Sequence, residues 1–200
     1  YLDEHEISTI HPVEIRQNIG VMPQEPFLFS GTLKENIELS SPISKEKMMQ
    51  LIKITGLEDL VKKSGQGDGL QVGERGCNLS VGQRHLVALA RAILNDPPIL
   101  LLYEPTTGLD PQARRNLWEL IKNIRSQGTT VIITTHYMDE AEQLCDRIAI
   151  MDEGKIISMD SPDKMIDDLV STGFERPKQV KAASLEDVFI HLTGKEMRDE

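Results

Sequence analysis

The sequence has no apolar run long enough to cross a bilayer as a helix. Its longest uncharged apolar stretches, such as residues 99–103 and 131–133, fall far short of the roughly 20 residues required. Positive charge is scarce too, with 22 Lys and Arg against 32 Asp and Glu and a formal charge of −10 over 200 residues. An acidic surface repels nucleic-acid phosphates and anionic lipid in bulk, which argues against generic nucleic-acid binding. Any phosphate would have to be held locally, by backbone N–H groups or a few side chains. Cysteine is almost missing: Cys77 and Cys145 lie far apart and form neither a metal-ligand pair nor a disulfide framework. A reducing compartment and two buried thiols are therefore expected. Collagen, coiled-coil and disordered compositions are not met either, because hydrophobic residues make up 39% and charged residues 27%, enough for one globular core.

The opening residues, Tyr1-Leu2-Asp3-Glu4, lack an initiator Met and the basic-then-apolar layout of a signal peptide, so the chain is expected to start partway into a larger product. Residues 18–23 read as a short strand stopped by Pro23. Residues 32–39, 44–54 and 57–63 carry helical patterns inside an α-rich block that extends to about residue 94, with a glycine-rich loop at 64–69. After Asp96-Pro97-Pro98 the texture changes. An apolar strand (99–103), a helix (111–127), a β-branched strand (129–135) and a helix (138–145) follow, then a strand pair around Glu153-Gly154. Strands alternating with helices imply an α/β fold with a mostly parallel sheet, and continuous apolar strands predict that both faces are covered. Residues 171–184 read as a linker. Leu185, Val188, Phe189 and Leu192 then mark a final amphipathic helix.

Three strand ends and one helix start carry the candidate chemistry. Ser80 and Gln83 are placed as the two halves of a capping box ahead of an apolar-periodic helix. Gly82 sits in the first turn, where glycine weakens a helix but lets backbone approach a ligand closely, so the helix start is a candidate anion site. Glu104 falls just past the apolar strand 99–103, where a general base or water-orienting group could face a phosphate. Asp110 before Pro111 is the pattern of a helix N-cap. His136 ends the next apolar strand, and Gln24 follows the strand that stops at Pro23. Taken singly, the histidine reads as structural and the glutamine as a turn residue.

Taken together, these positions resemble the nucleotide-binding domain of ABC transporters over nearly the whole of residues 18–160. Gln24 resembles the Q-loop glutamine, and residues 79–83 the signature motif, with Val81 where a glycine is usual. Residues 99–104 resemble the Walker B region, Gly108-Leu109-Asp110 the D-loop, and His136 the switch histidine. The resemblance implies a P-loop NTPase-like α/β sheet, incomplete at its N-terminus, with an inserted α-helical signature subdomain. It divides the chain into a remnant of the ATP-binding core (1–27), the α-helical subdomain (28–96), the core α/β subdomain (97–170) and a linker with its helix (171–200). It further implies ATP with Mg²⁺, a second nucleotide-binding domain and a transmembrane permease as partners, and a place at the cytoplasmic face of the membrane. In this family two such domains close head to tail around ATP. On that pattern Ser80, Val81, Gly82, Gln83 and Asp110 would serve the nucleotide across the dimer. Glu104 would polarise the attacking water, His136 would hold the γ-phosphate, and Gln24 would report nucleotide state to the permease and touch Mg²⁺ through the nucleotide.

Two departures bear on activity. No Gly-x-x-x-x-Gly-Lys-[Ser/Thr] occurs, and the Gly-Lys pairs at 154–155 and 194–195 continue with Ile156 and Glu196, so the phosphate-cradling loop is missing. In the family that loop lies upstream of a segment like residues 1–10, together with a central strand. Tyr103 stands where the Walker B aspartate that helps hold Mg²⁺ is usual. A phenol is a poor substitute for a hard anionic oxygen. The segments Phe27-Leu28-Phe29-Ser30-Gly31-Thr32-Leu33 and Val72-Gly73-Glu74-Arg75-Gly76 resemble exporters with the ATPase fused behind membrane helices. Residues 136–157 and 185–189 resemble the separate ATPase subunits of drug-resistance and ABC-2-type exporters. The alternative function is a catalytically defective module that supplies only the signature half-site to a complete partner. A serine-hydrolase elbow at Ser80 fails because position 78 is Asn instead of Gly. A DNA-repair or translation ATPase would bring long coiled-coil insertions or twin domains, which the sequence does not contain.

Overall fold

A computed structural model describes residues 4–39 and 41–174. The chain divides into two units, Tyr1–Leu144 and Cys145–Glu200.

In the first unit, helix α1 (Pro12–Asn18) starts with Pro12 in its first turn, where proline's fixed φ is helical and its missing N–H is no loss. Strand β1 (Ile19–Met22) follows directly. A two-strand ladder of β2 (Gly31–Thr32) with β3 (Gln71–Val72) frames the helices α2 (Leu33–Glu38), α3 (Lys45–Ile54) and α4 (Glu58–Ser64). Each helix of this block falls where the periodicity predicts it. The ladder was not legible, because strands of two residues carry no period. Thr32 and Glu35 cap α2 reciprocally, and Leu33, Ile37, Met48, Leu51 and Val72 bury completely or nearly so in the local core. Helix α5 (Val81–Ala92), strand β4 (Ile99–Tyr103), helix α6 (Pro111–Ser126), strand β5 (Thr130–Thr134) and helix α7 (Met138–Leu144) complete the unit.

β1, β4 and β5 form one parallel sheet in the order β1-β4-β5, with Met22 beside Leu102 and Tyr103 beside Thr134. α5 packs against β1, and α6 against β5. On the covered face lie Gly20, Met22, Leu100 and Leu102. A Cβ on Gly20 would stand 2.2 Å from the Ala92 carbonyl oxygen, so the end of α5 reaches β1 only because residue 20 has no side chain. Trp118 Nε1 donates to the fully buried Glu140 at 3.0 Å, which fixes α6 to α7.

Coverage of both sheet faces was expected and is not found. Among the described residues the second face is open: Val21, Tyr103 and Ile132 are each about half exposed. β5 is an edge strand of its sheet. Apolar runs on β1, β4 and β5 are the mark of a two-sided sheet, so the strands have the composition of one although, within the first unit, Val21, Tyr103 and Ile132 stay about half exposed. The expected burial of both thiols also fails, since Cys77 is exposed on the turn before α5 and Cys145 is only half-buried.

In the second unit, β6 (Ile148–Asp152) and β7 (Lys155–Asp160) pair antiparallel, as the strand-pair reading predicts. Their two-residue turn places Glu153 at φ 45° and Gly154 at φ 75°, the left-handed pair that suits a tight hairpin. Helix α8 (Pro162–Ser171) follows, with Ser161 as N-cap and Pro162 in the first turn. The sequence reading missed α8, and its proposed linker overlaps the end of that helix at Ser171. The amphipathic segment at 185–192 lies outside the described residues.

Candidate functional site

Parallel strands deliver their carboxyl ends to one edge of the sheet, where ligands of such folds gather. Gln24 follows β1, Glu104 follows β4 and His136 follows β5, so three residues far apart in sequence arrive side by side. Gln24 Nε2 donates to Glu104 Oε2 at 2.8 Å. His136 Nδ1 lies 3.4 Å from the same oxygen. A third group, Thr107, donates its hydroxyl to that oxygen at 3.1 Å. Among the described residues, no hydrogen-bond donor reaches Glu104 Oε1. All three contacts thus fall on one carboxylate oxygen.

The backbone holds this carboxylate in an unusual conformation. Glu104 has φ 44°, a left-handed geometry that costs a β-carbon-bearing residue about 1–2 kcal/mol and tends to occur where function requires it. Hydrogen bonds on both sides maintain it: Glu104 N–H donates to the Thr134 carbonyl at 2.8 Å, and Thr107 N–H donates to the Glu104 carbonyl at 3.2 Å.

The tip of α5 forms a separate group. Ser80 Oγ accepts from Gln83 N–H at 3.1 Å, and Gln83 Oε1 accepts from Ser80 N–H at 2.9 Å, the reciprocal capping that the sequence predicts. These bonds close on each other, and none reaches Glu104. Ser80 and Val81 are exposed. A Cβ on Gly82 would meet Ala113 and Leu109 at ordinary contact distances, and one on Gly108 would meet Val81 at 3.7 Å. The helix tip therefore packs on the 108–113 segment of its own chain. Asp110 caps α6 by accepting from Ala113 N–H at 2.7 Å.

Further along α5, two side chains turn toward the segment after Gln24. His85 is buried and places Nδ1 2.9 Å from the Val81 carbonyl. Burial pushes its imidazole below the ordinary value of 6.5, opposed by backbone groups of Val81 and Gln24 and reinforced by the Arg84 charge. Arg91 donates to the carbonyls of Asn36 and Phe27 at 2.9 and 3.0 Å, while burial lowers its own proton affinity. Asn36 in turn bonds both the N–H and the carbonyl of Phe29 at 2.9 Å. The segment carrying Phe27 and Phe29 is thus pinned by backbone bonds, and both rings stay half exposed in an edge-to-face pair with centroids 4.9 Å apart.

Tyr103 ends β4 with its side chain half exposed. Mg²⁺ prefers hard, preferably anionic, oxygens in octahedral order. Glu104, next to Tyr103, already has Oε2 occupied by two donors and faced by His136. Among the described residues no group of three or more His, Cys, Asp or Glu side chains could hold a metal ion. Of the two positions that the resemblance sets beside Mg²⁺, Gln24 offers a side-chain oxygen and Tyr103 only a neutral phenol in place of a hard anionic oxygen. Thr107 was not singled out in the sequence, although a hydroxyl three residues past Glu104 in a turn was a usable local signal. Arg91 and Asn36 left no such signal, because their roles are long-range contacts to backbone.

A P-loop NTPase-like α/β sheet with its polar cluster at the strand ends is the class this arrangement defines. The ABC transporter family matches residues 1–107. Over 235 aligned positions the chain is 32% identical to the Nod factor export ATP-binding protein I of Burkholderia orbicola (strain AU 1054), covering 92% of this chain and 75% of that protein. It is 39% identical over 155 positions to a protein of Rickettsia bellii (strain RML369-C) named as an export ATP-binding/permease protein, covering 78% of this chain and 27% of that one. A solved bacterial Atm1-family ABC exporter with ATP bound superimposes with a TM-score of 0.76 at 26% identity, over 88% of this chain and 32% of the exporter. The chain belongs to the ABC transporter family.

Proposed function

We propose that the chain is the ATPase part of an ABC exporter and that its strand-end cluster is the hydrolytic half of a composite ATP site. The observation that carries this reading is the convergence of Gln24, Thr107 and His136 on Glu104 Oε2, which leaves Oε1 as the oxygen that would orient a water. Export itself is suggested by the names of the relatives. Glu104 polarises that water, and His136, exposed beside it, faces the terminal phosphate. The exposed tip of α5, led by Ser80 with Val81, Gly82, Gln83 and the neighbouring Asp110, is offered to the phosphates held by a second nucleotide-binding domain. Closure on ATP and opening after hydrolysis then move a permease. Gln24 reports the state of the site through the pinned segment, whose exposed Phe27 and Phe29 give a membrane partner an apolar contact. On this proposal the chain works at the cytoplasmic face of a membrane, held there by its partner, and drug efflux is a cargo class that rests on the sequence resemblance alone.

The open sheet face and the edge of β5 are where a strand and helix bearing a phosphate-cradling loop would pack. With that segment supplied in cis, Glu104→Gln is expected to lower ATP hydrolysis at least 100-fold while leaving ATP binding unchanged. Hydrolysis at the unsubstituted rate would refute the assignment. A second reading is favoured by Tyr103, a phenol where an anionic oxygen is usual: a module that contributes only the signature half-site. It predicts nucleotide-dependent association with a complete partner domain and no turnover at the Glu104 site.

A further inference from the structure

His136 has a neighbour besides Glu104. Its imidazole stacks on Tyr137, with ring centroids 4.1 Å apart and planes tilted by 36°. Over the Tyr137 ring lies the guanidinium of Arg114, 4.7 Å from the centroid, well inside the range of about 6 Å over which a cation is attracted to a ring. Arg114 belongs to the first turn of α6, where its backbone N–H donates to the Asp110 carbonyl at 2.9 Å. The guanidinium is 3.7 Å from the Asp139 carboxylate. Its Nε is buried with no hydrogen-bond partner, so the ring and the carboxylate, rather than a fork of hydrogen bonds, hold the group in place. Tyr137 is oriented by its own N–H, which donates to Thr135 Oγ1 at 3.0 Å.

The need for such support follows from the histidine's setting. His136 keeps 58% of its side-chain surface exposed, and a ring on so open a strand end would sample several rotamers. The stack restricts it from one side while Glu104 holds it from the other. Because Arg114 stands one turn beyond Asp110, the same stack joins the histidine to the start of α6.

We infer that Tyr137 and Arg114 are positioning residues for His136: together they fix its imidazole against Glu104 and tie its orientation to the Asp110 cap. The functional consequence rests on the proposed role of His136 at the phosphate, whereas the stack does not.

The test uses the ring-proton resonances of His136 in this chain at one fixed pH, identified among the five histidines by their loss in His136→Gln. Tyr137→Leu removes the ring current and should move them to the positions of an exposed histidine. Tyr137→Phe should leave them in place, and Arg114→Gln should move them in the same direction as Tyr137→Leu. Resonances unmoved by Tyr137→Leu overturn the inference. Should that variant not fold, unmoved resonances in Arg114→Gln overturn it equally. With a phosphate loop supplied, Tyr137→Leu should lower kcat at least about tenfold and up to about 100-fold, the cost of a group misplaced by about 1 Å, with KM within about twofold, and Tyr137→Phe should restore the rate. If the resonances move while kcat stays unchanged and His136→Gln also hydrolyses normally, the proposed role of His136 has failed and the stack stands. If His136→Gln is inactive while Tyr137→Leu is not, the positioning claim has failed.

Discussion

Gly82→Ala separates what the helix needs from what a ligand needs. Gly82 is the second residue of α5, and an added Cβ would find Ala113 Cβ at 3.6 Å, Leu109 Cδ2 at 3.9 Å and Ser80 Oγ at 3.9 Å, all ordinary contacts. Its φ lies outside the left-handed range. Nothing in the fold therefore requires glycine. Alanine is favoured over glycine in helices by about 0.5–1 kcal/mol, and an end position takes the lower part of that range. For a chain of this size, about 0.5 kcal/mol corresponds to a rise of about 1–2 °C in Tm, measurable by circular dichroism. If Gly82 is there so that backbone can approach a phosphate, the same methyl should weaken ATP-dependent association with a complete partner domain at least tenfold, about 1.4 kcal/mol, read by sedimentation. A fall in Tm of several degrees would show that packing requires the glycine. Unchanged association would remove the anion-site reading of the helix tip.

With a phosphate-cradling loop supplied in cis, Tyr103→Asp is expected to raise Mg²⁺-dependent ATP hydrolysis at least tenfold, since it places a hard anionic oxygen beside Glu104; equal rates for the two versions would refute this. His85 gives a pH prediction. Its folded proton affinity is lowered chiefly by burial, so below its ordinary value of 6.5 the unfolded chain takes up a proton that the folded chain does not. Its contribution to stability is fully present above that pH and falls as the pH drops through the window down to the lowered folded value. Urea unfolding at pH 7.5 and 5.5 should show a smaller loss for His85→Gln than for the unsubstituted chain, and equal losses would contradict the assignment. Glu35, Glu46 and Asp160 have carboxyl groups held below their ordinary values by local hydrogen bonds. They lose their contribution only at more acid pH, so the two windows separate.

Features set by neighbours in sequence were legible. The Ser80–Gln83 capping box, the Asp110 cap before Pro111 and the Glu153-Gly154 turn each depend on residues within one helical turn or one hairpin. α6 was legible because its period runs over 16 residues, and β4 because its short apolar run is unbroken and follows Pro97-Pro98. α8 was missed although Ser161-Pro162 marks its start as clearly as Asp110-Pro111 marks that of α6; the sequence reading leaves residues 162–170 in the core subdomain without an element of their own. The two-residue ladder of β2 and β3 had no pattern to read, since it exists only as pairing between segments some forty residues apart.

By itself the sequence determined which residues stand at the strand ends and helix tips, because strand period, helix period and capping are local. Tertiary structure decided that Gln24 and Glu104, 80 positions apart, share one carboxylate oxygen, because only the parallel register of β1, β4 and β5 aligns their carboxyl ends. It also decided that Thr107 joins them, that Tyr137 and Arg114 stack beside His136, and that one sheet face is open among the described residues. Those outcomes follow from which elements pack together, and packing between distant segments leaves no signature in the order of residues along the chain.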